Sequence, residues 1–152
     1  MLSGYFDKAF QEGQMPISLE QVFKIRLTDN LKMGGKIDRV DEIDHGKLEI
    51  IDYKTGKKPK DKEIENSLQM TVYALAAKDK GIFNKKPEDL VLSFYFFSTQ
   101  EKISTSRNQN QINEAKSELI RIAQEINESS FPATPGKWCD FCDFRMVCDA
   151  WK

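Results

Sequence analysis

The chain has 152 residues, of which 31% are charged and 39% are hydrophobic, and its formal net charge is −1. This length fits one domain with its own core, the composition excludes a disordered chain, and the charge leaves only a local basic patch as a means of binding nucleic acid. The sequence has no apolar run of the ~20 residues that cross a bilayer and no secretory signal, so we expect a cytoplasmic protein without a membrane partner.

The first predicted elements are a short helix and a strand. The helix ends before Gly13, and its apolar residues recur at helical spacing: Leu2, Phe6, Ala9 and Phe10. Residues Ile17 to Leu27 predict the strand, and Glu20 lies near its start. Glu20 is either a solvated residue at an element boundary or an acid that helps to hold a metal ion.

Residues Lys32 to Lys58 predict a β-hairpin with its turn at Asp44 to Gly46, where Gly46 can adopt positive φ. His45, the chain's one histidine, lies in this turn, where a solvated residue is expected and a metal ligand is not.

Charged side chains gather at the open end of this hairpin. Asp52 and Lys54 share one face of the second strand, and Asp38 can join them from the first strand if the register allows. They follow apolar residues, and Gly56 comes next. Acids in such a setting are costly unless a cation or a substrate compensates them, which favours a functional site. The alternative is a surface ion pair between Asp52 and Lys54.

A basic run and a helix follow the hairpin. The run contains Lys57, Lys58 and Lys60, which are either solvated or phosphate contacts next to the site. An apolar face predicts a helix from Glu63 to Lys80, and Gln69 and Tyr73 lie four residues apart on it. There are two alternatives for this pair: Gln69 and Tyr73 lie at the margin of the core, or they face the acidic end of the hairpin.

The rest of the chain predicts a strand, a helix and a cysteine-containing tail. Residues Leu90 to Ser98 form a buried strand whose aromatic residues belong to the core, and Asn108 or Asn110 caps an amphipathic helix. This order indicates an α/β sandwich. After a linker at 131–136, the tail places three cysteines at C-x2-C-x5-C spacing: Cys139, Cys142 and Cys148. They are either reduced thiols beside an aromatic cluster or part of a metal centre.

Four of these motifs, in this order, resemble the PD-(D/E)xK nuclease superfamily, in particular its RecB-like branch of CRISPR-associated exonucleases and helicase-associated nuclease domains. The motifs are G-x-I-D ending at Asp38, I-D-Y-K-T-G around Asp52, Q-x-x-x-Y beginning at Gln69, and the three cysteines. The resemblance spans about Glu20 to Cys148. It implies a restriction-endonuclease-like α/β fold, a mixed β-sheet flanked by helices, with a cysteine-containing C-terminal tail.

The resemblance also implies a function, the metal-dependent hydrolysis of phosphodiester bonds in DNA during repair, recombination or helicase-coupled processing. The catalytic residues would be Asp38, Asp52, Lys54, Gln69 and Tyr73. The ligands of Mg²⁺ or Mn²⁺ would be Asp38, Asp52, the backbone carbonyl of Tyr53 and Glu20. The DNA contacts would be Lys57, Lys58 and Lys60.

The sequence departs from the family upstream of Glu20, where a catalytic histidine and the first cluster cysteine are missing. Three cysteines are therefore an incomplete set for a 4Fe-4S cluster, which we expect in a longer protein and not in this chain. We expect one nuclease-like domain over 1–152 (a helix remnant at 1–15, an α/β core at 16–130, a linker and cysteine tail at 131–152). It is either a C-terminal fragment of a larger protein, with a helicase domain or subunit as partner, or a shortened family member. Two other functions stay open, an inactive DNA-binding or scaffolding module and a zinc-stabilised interaction domain.

Overall fold

A computed structural model of the chain describes residues 3–7 and 15–151. It divides into two compact units, Met1–Ile120 and Arg121–Lys152. Residues 3–7 are helical, as expected, whereas Leu2, Ala9, Phe10 and Gly13 lie outside the described residues. The expected division into segments 1–15, 16–130 and 131–152 stays a prediction. None of the described helices combines the length and the apolar character that a bilayer crossing needs.

The first unit contains a mixed sheet of five strands in the order β1-β2-β3-β4-β5. The strands are β1 (Ser18–Arg26), β2 (Lys32–Ile43), β3 (Lys47–Lys54), β4 (Leu90–Phe96) and β5 (Glu101–Thr105). Only β3 and β4 pair in parallel, and the other neighbours pair antiparallel. The first four strands confirm the sequence prediction, and β5 was not predicted.

The hairpin of β2 and β3 confirms its predicted turn. A single 3-10 turn, Asp44–Gly46, joins the strands, and His45 and Gly46 adopt positive φ angles of 59° and 74°. The register pairs Val40 with Ile50 and ends with Arg39 opposite Ile51. Because paired residues project to the same side, Val40 and Ile50 contribute to one face of the sheet.

Three helices follow in the described chain after the hairpin, α1 (Asp61–Glu65), α2 (Leu68–Ala77) and α3 (Gln109–Glu128). The prediction of one continuous helix from Glu63 to Lys80 was therefore wrong. The helical conformation is interrupted at Ser67, whose Oγ accepts a hydrogen bond from the Met70 amide at 3.4 Å. A serine in this N-cap position satisfies a free amide at the start of a new helix, which the apolar pattern alone does not reveal.

Asn108 caps α3, one of the two alternatives left open by the sequence. Its Oδ1 accepts from the Gln111 amide, and Gln111 Oε1 accepts from the Asn108 amide, both at 2.9 Å. This reciprocal arrangement is a capping box. Within the apolar stripe of α3, Ile112 is buried, whereas Ile126 is 55% exposed.

The hydrophobic core lies between α2 and one face of the sheet. The face contributes alternate residues of β3 and β4, and α2 contributes most of its side chains, which are buried because the helix packs on β4 and β1. The largest core side chains from the strands include Ile50, Leu92, Phe94 and Phe96. Phe94 and Phe96 confirm their prediction as residues of this core, whereas Tyr95 is buried on the opposite face and Phe97 is half-buried.

The opposite face of the sheet contains two buried acids, each with a cation. Asp41 is 2% exposed and lies 2.8 Å from Nε of Arg39. Glu49 is 5% exposed and lies 3.1 Å from Nζ of Lys102. Asp41 and Glu49 are paired in register, so both acids project to this second face.

The second unit contains the cysteine tail, which folds into three short 3-10 turns, Cys139–Phe141, Arg145–Val147 and Asp149–Trp151. All three cysteines are free thiols. Trp138, Phe141 and Phe144 are 74%, 84% and 73% exposed. The exposure of these side chains does not support the alternative in which an aromatic cluster packs beside the cysteines.

Candidate active site

Asp52 is the centre of the site and is only 3% exposed. Its Oδ1 accepts hydrogen bonds from Tyr73 Oη at 2.9 Å and from Gln69 Nε2 at 2.8 Å. Its Oδ2 lies 2.7 Å from Lys54 Nζ, a close ion pair. That contact lacks hydrogen-bond geometry, so Oδ2 is a buried oxygen without a hydrogen-bond partner among the described residues.

Lys54 lies on the same face of β3 as Asp52 because side chains alternate along a strand. Its ammonium donates to Gln69 Oε1 at 2.9 Å and lies 5.2 Å from the ring centroid of Phe94. The backbone of Lys54 is also fixed, since its carbonyl accepts from the Phe97 amide at 2.9 Å. The side chain is 36% exposed, so the ammonium remains accessible to a ligand.

Gln69 connects the acid, the lysine and the tyrosine. It is the second residue of α2, and Tyr73 follows one helical turn later on the same side. The amide of Gln69 accepts from Lys54 and donates both to Asp52 and to Tyr73 Oη, the latter at 2.9 Å. The helix break at Ser67 therefore places the first turn of α2 directly over the end of β3.

Tyr73 is buried in the core, and its hydroxyl contacts the Asp52 carboxylate. Its hydroxyl lies 2.9 Å from Asp52 Oδ1 and 3.2 Å from the backbone oxygen of Lys36, and its one proton can serve either acceptor. Burial, and then the negative charge of Asp52, raise the pKa of Tyr73 above its ordinary value. At neutral pH this hydroxyl is therefore a hydrogen-bond donor.

Asp38 approaches the same point from β2. Its Oδ2 accepts a hydrogen bond from the backbone amide of Tyr53 at 3.0 Å, which places the carboxylate against the Asp52–Tyr53 peptide. Its Oδ1 accepts no hydrogen bond from the part of the chain that the structure describes. The Tyr53 side chain turns to the other face and contacts the ring of Tyr5, so only the backbone of Tyr53 can serve the site.

The structure does not bring the Glu20 carboxylate into this network. Glu20 has a positive φ of 52°, its side chain is 62% exposed, and its carboxylate pairs with Lys36 Nζ. Its assignment as a metal ligand stays a prediction. The sequence analysis did not predict that Lys36 would pair with Glu20. Its position, two residues before Asp38 on the same strand, could have indicated a charged residue near the site.

The three lysines of the basic run are exposed. Lys58 Nζ lies 3.4 Å from Glu101 and 3.8 Å from Asp61, so acids partly neutralise it. Lys57 lies on the same cleft as Lys54. Their assignment as DNA contacts stays a prediction.

A buried arginine that the sequence analysis missed supports the helix break. Arg107 is 4% exposed and donates from Nε to Thr71 Oγ1 at 2.8 Å and from Nη2 to the Ser67 carbonyl at 3.2 Å. A third bond reaches Thr105 Oγ1 at 2.9 Å. All its partners are neutral, and burial lowers the pKa of Arg107. One arginine in a loop has no local pattern that could have revealed this contact.

Within residues 3–7 and 15–151, no group of three or more histidine, cysteine, aspartate or glutamate side chains is placed to hold a metal ion. The carboxylates at the open end of the hairpin are Asp38 and Asp52, and their assignment as metal ligands stays a prediction. The iron–sulfur cluster expected for a longer protein stays a prediction.

Comparison with known proteins gave curated relatives and a solved structure. The relatives are ATP-dependent helicase/deoxyribonuclease subunits from Streptococcus agalactiae strains of serotypes Ia, V and III, each 28% identical over 103 residues, 64% of this chain. The match covers 10% of each relative, so the chain spans about a tenth of their length. The crystal structure of SSO0001 is 17% identical with a TM-score of 0.49, covering 99% of this chain and 70% of that one. A likeness this weak does not by itself establish a shared fold.

The curated relatives agree with the RecB-like branch that the motifs indicate. A sequence model described as the PD-(D/E)XK nuclease superfamily matches residues 1–149. The chain therefore belongs to the PD-(D/E)XK nuclease superfamily, and its mixed sheet flanked by helices is the restriction-endonuclease-like α/β fold expected from the sequence.

Proposed function

We propose that this chain is a nuclease domain that hydrolyses phosphodiester bonds in DNA with the help of a divalent metal ion. The observation that supports this most is the single hydrogen-bonded network of Asp52, Lys54 and Gln69 at the end of β3. Such a network places a carboxylate and an ammonium side by side at an accessible edge of the core. Membership in the nuclease superfamily supports the interpretation of this carboxylate and ammonium as catalytic groups.

The oxygens at the site fit a small, hard cation. Asp52 Oδ2 is buried without a hydrogen bond, and Asp38 Oδ1 is free of hydrogen bonds from the described residues. Mg²⁺ and Mn²⁺ prefer oxygen ligands, and Mg²⁺ is commonly bound by one or two carboxylates while it keeps several waters. Asp38 and Asp52, with the carbonyl of Tyr53, would hold the ion, which polarises a phosphate and lowers the pKa of a bound water.

The other residues position and stabilise the reacting groups. Lys54 would orient the attacking water and stabilise the charge that develops on the phosphate, as a fixed ammonium does in a site shielded from bulk water. Gln69 keeps Lys54 in place through the 2.9 Å hydrogen bond to its ammonium. Tyr73 and Gln69 together fix the orientation of Asp52 through Oδ1, which leaves Oδ2 beside the Lys54 ammonium and without a hydrogen bond.

The basic run would contact the DNA backbone next to this site. The run of Lys57, Lys58 and Lys60 begins three residues after Lys54 and is exposed, and lysines in such places position a strand without reading its sequence. The name of the S. agalactiae relatives includes a helicase. We therefore propose a helicase domain or subunit as partner and a role in DNA repair or recombination.

The test compares two buried aspartates on opposite faces of the sheet. Asp52 and Asp41 are 3% and 2% exposed, and each lies within 3 Å of one cation, Lys54 at 2.7 Å and Arg39 at 2.8 Å. Cleavage of end-labelled DNA is measured with Mg²⁺, with Mn²⁺ and with EDTA for the wild type, Asp52→Asn and Asp41→Asn.

The wild type should cleave only with a divalent ion, and Asp52→Asn should lower the rate by at least about 100-fold. Asp41→Asn should retain activity to the extent that the protein remains folded, which circular dichroism checks. Equal losses in both folded variants would contradict the assignment of Asp52. Binding of DNA and Mn²⁺ without cleavage would instead support the inactive module.

A further inference from the structure

Two clefts adjoin the Asp52 network, because members of the network line each of them. The first, named the Pro59 cleft, encloses about 350 Å³ and is lined by Lys54, Lys57, Pro59, Ile64 and Phe94, among others. The second, named the Leu68 cleft, encloses about 430 Å³ and is lined by Phe23, Gly35, Leu68, Gln69 and Tyr73, among others. Both lie wholly within the first unit.

The hydrogen bond between Lys54 and Gln69 joins one residue of each cleft. Lys54 lines the Pro59 cleft, Gln69 lines the Leu68 cleft, and the two side chains are joined at 2.9 Å. Both side chains also contact Asp52. A phosphate held beside Asp52 and Lys54 would therefore lie next to both clefts.

The surfaces of the clefts suit a nucleoside. Each volume is at the lower end of the range for small-ligand sites, about 300–1,000 Å³. The walls combine apolar side chains with a few polar groups, the combination that accepts a base and a sugar. Leu68 is 43% exposed beside the polar network, and a bound base would cover it. Lys57 at the Pro59 cleft supplies positive charge near the adjoining phosphate, whereas Lys36 at the Leu68 cleft is paired with Glu20.

We propose that the Pro59 cleft and the Leu68 cleft are the two nucleoside subsites that flank the phosphate to be cleaved. This inference rests on the proposed nuclease function and adds the place of the substrate on the protein. The substrate strand crosses the ridge between Lys54 and Gln69, with one nucleoside in each cleft. Substitutions in either cleft then weaken binding without removing any proposed catalytic group.

The experiment uses one charged substitution in each cleft and one matched control. Leu68→Glu and Pro59→Glu introduce a carboxylate at exposed positions, and a glutamate in the first turn of α2 is compatible with the helix. Leu19→Glu, on the edge strand β1, changes a leucine that is 60% exposed and lines neither cleft. The probes are thymidylyl-thymidine and thymidine monophosphate, titrated in EDTA and followed by amide chemical shifts.

Both cleft variants should weaken binding of the dinucleotide by about tenfold, the loss expected when one base contact is disturbed. The mononucleotide should lose affinity in only one of the two variants, because it fills one cleft. Leu19→Glu should bind both probes like the wild type. The same variants should raise KM for DNA cleavage and leave kcat nearly unchanged.

Two results would overturn the inference while the proposed function stands. One is a wild type that cleaves DNA but binds the dinucleotide no better than the mononucleotide, and the other is unchanged affinity and KM in both cleft variants. If the wild type cleaves no DNA, yet both variants weaken dinucleotide binding, the subsites stand and the proposed catalysis fails.

Discussion

The side chain of Asp38 accepts the hydrogen bond of the Tyr53 amide at the point where the pairing of β2 and β3 ends. The ladder ends with Arg39 opposite Ile51, and the Tyr53 amide then donates to the Asp38 carboxylate at 3.0 Å. One carboxylate oxygen is thereby bound to β3, and the other is left for a ligand. The hydrogen bond and the charge of Asp38 can be separated by mutation.

Asp38→Asn should weaken metal binding with little loss of stability. An asparagine oxygen can still accept from the Tyr53 amide, but the negative charge is gone. Asp38→Ala removes both and should cost a further free energy of unfolding of about 1 kcal/mol. Calorimetric titration with Mn²⁺ should show at least about a tenfold loss of affinity in both variants, because each lacks one of the two carboxylates. Wild-type Mn²⁺ affinity in Asp38→Asn would show that Asp38 is not a ligand.

Lys54→Met should lower kcat by about 100-fold or more and change KM little, because the ammonium acts on the developing charge. The chain offers a close control in Lys102→Met. Lys54 and Lys102 are 36% and 37% exposed and pair with the buried acids Asp52 and Glu49, on opposite faces of the sheet. Both variants should lose similar stability in urea denaturation. Only Lys54→Met should lose activity, and a similar loss in Lys102→Met would mean that destabilisation explains the effect.

Arg107→Met should lower both stability and activity by loosening the start of α2. It removes the charged donors from Thr71 Oγ1 and from the Ser67 carbonyl, which keeps only the amide and hydroxyl of Thr71 as donors, at a cost of about 1–3 kcal/mol. Because α2 carries Gln69, kcat should also fall at temperatures where the variant is fully folded.

A double-mutant cycle shows whether Arg107 acts through Gln69. If it does, Arg107→Met should reduce kcat much less in a Gln69→Ala background than in the wild type, since the shared contact is already lost. Additive losses would indicate that Arg107 contributes to folding alone.

Gly35→Ala should destabilise the protein, and Gly34→Ala should not. A Cβ at Gly35 would lie 2.5 Å from Phe23 Cζ and 2.8 Å from Cε1, whereas a Cβ at Gly34 would lie 3.5 Å from the nearest atom. Phe23 is buried and packs edge-on against Tyr73, so its ring has little room to move. We expect a loss of about 1–3 kcal/mol for Gly35→Ala in chemical denaturation. Equal stabilities of the two variants would show that Phe23 can shift freely.

The sequence predicts the hairpin and its charged end well because both depend on short-range rules. Alternation along β3 places Asp52 and Lys54 on one face, and a turn at Gly46 brings β2 back beside it. The four-residue spacing of Gln69 and Tyr73 likewise predicts that they share a side of a helix. These features need no knowledge of distant contacts.

The features that the sequence missed depend on contacts between distant segments. Ser67 lies within an apolar pattern that suits one continuous helix, and its hydrogen bond with Arg107, forty positions away, accompanies the break. The strand β5 is short and lies at the edge of the sheet, where its polar residues give little alternation. The buried acids Asp41 and Glu49 are indistinguishable from surface acids until their partners are known.

Alternate residues of β3 lie on opposite faces of the sheet and have different roles there. Asp52 and Lys54 belong to the site, whereas Glu49 and the Tyr53 side chain belong to the opposite face. An insertion or deletion of one residue between Lys47 and Ile51 would exchange these two sets. A deletion would place the Tyr53 ring, and an insertion would place Ile51, at the position of the Asp52 carboxylate. We therefore expect the length of this strand to tolerate less change during evolution than most of its individual side chains.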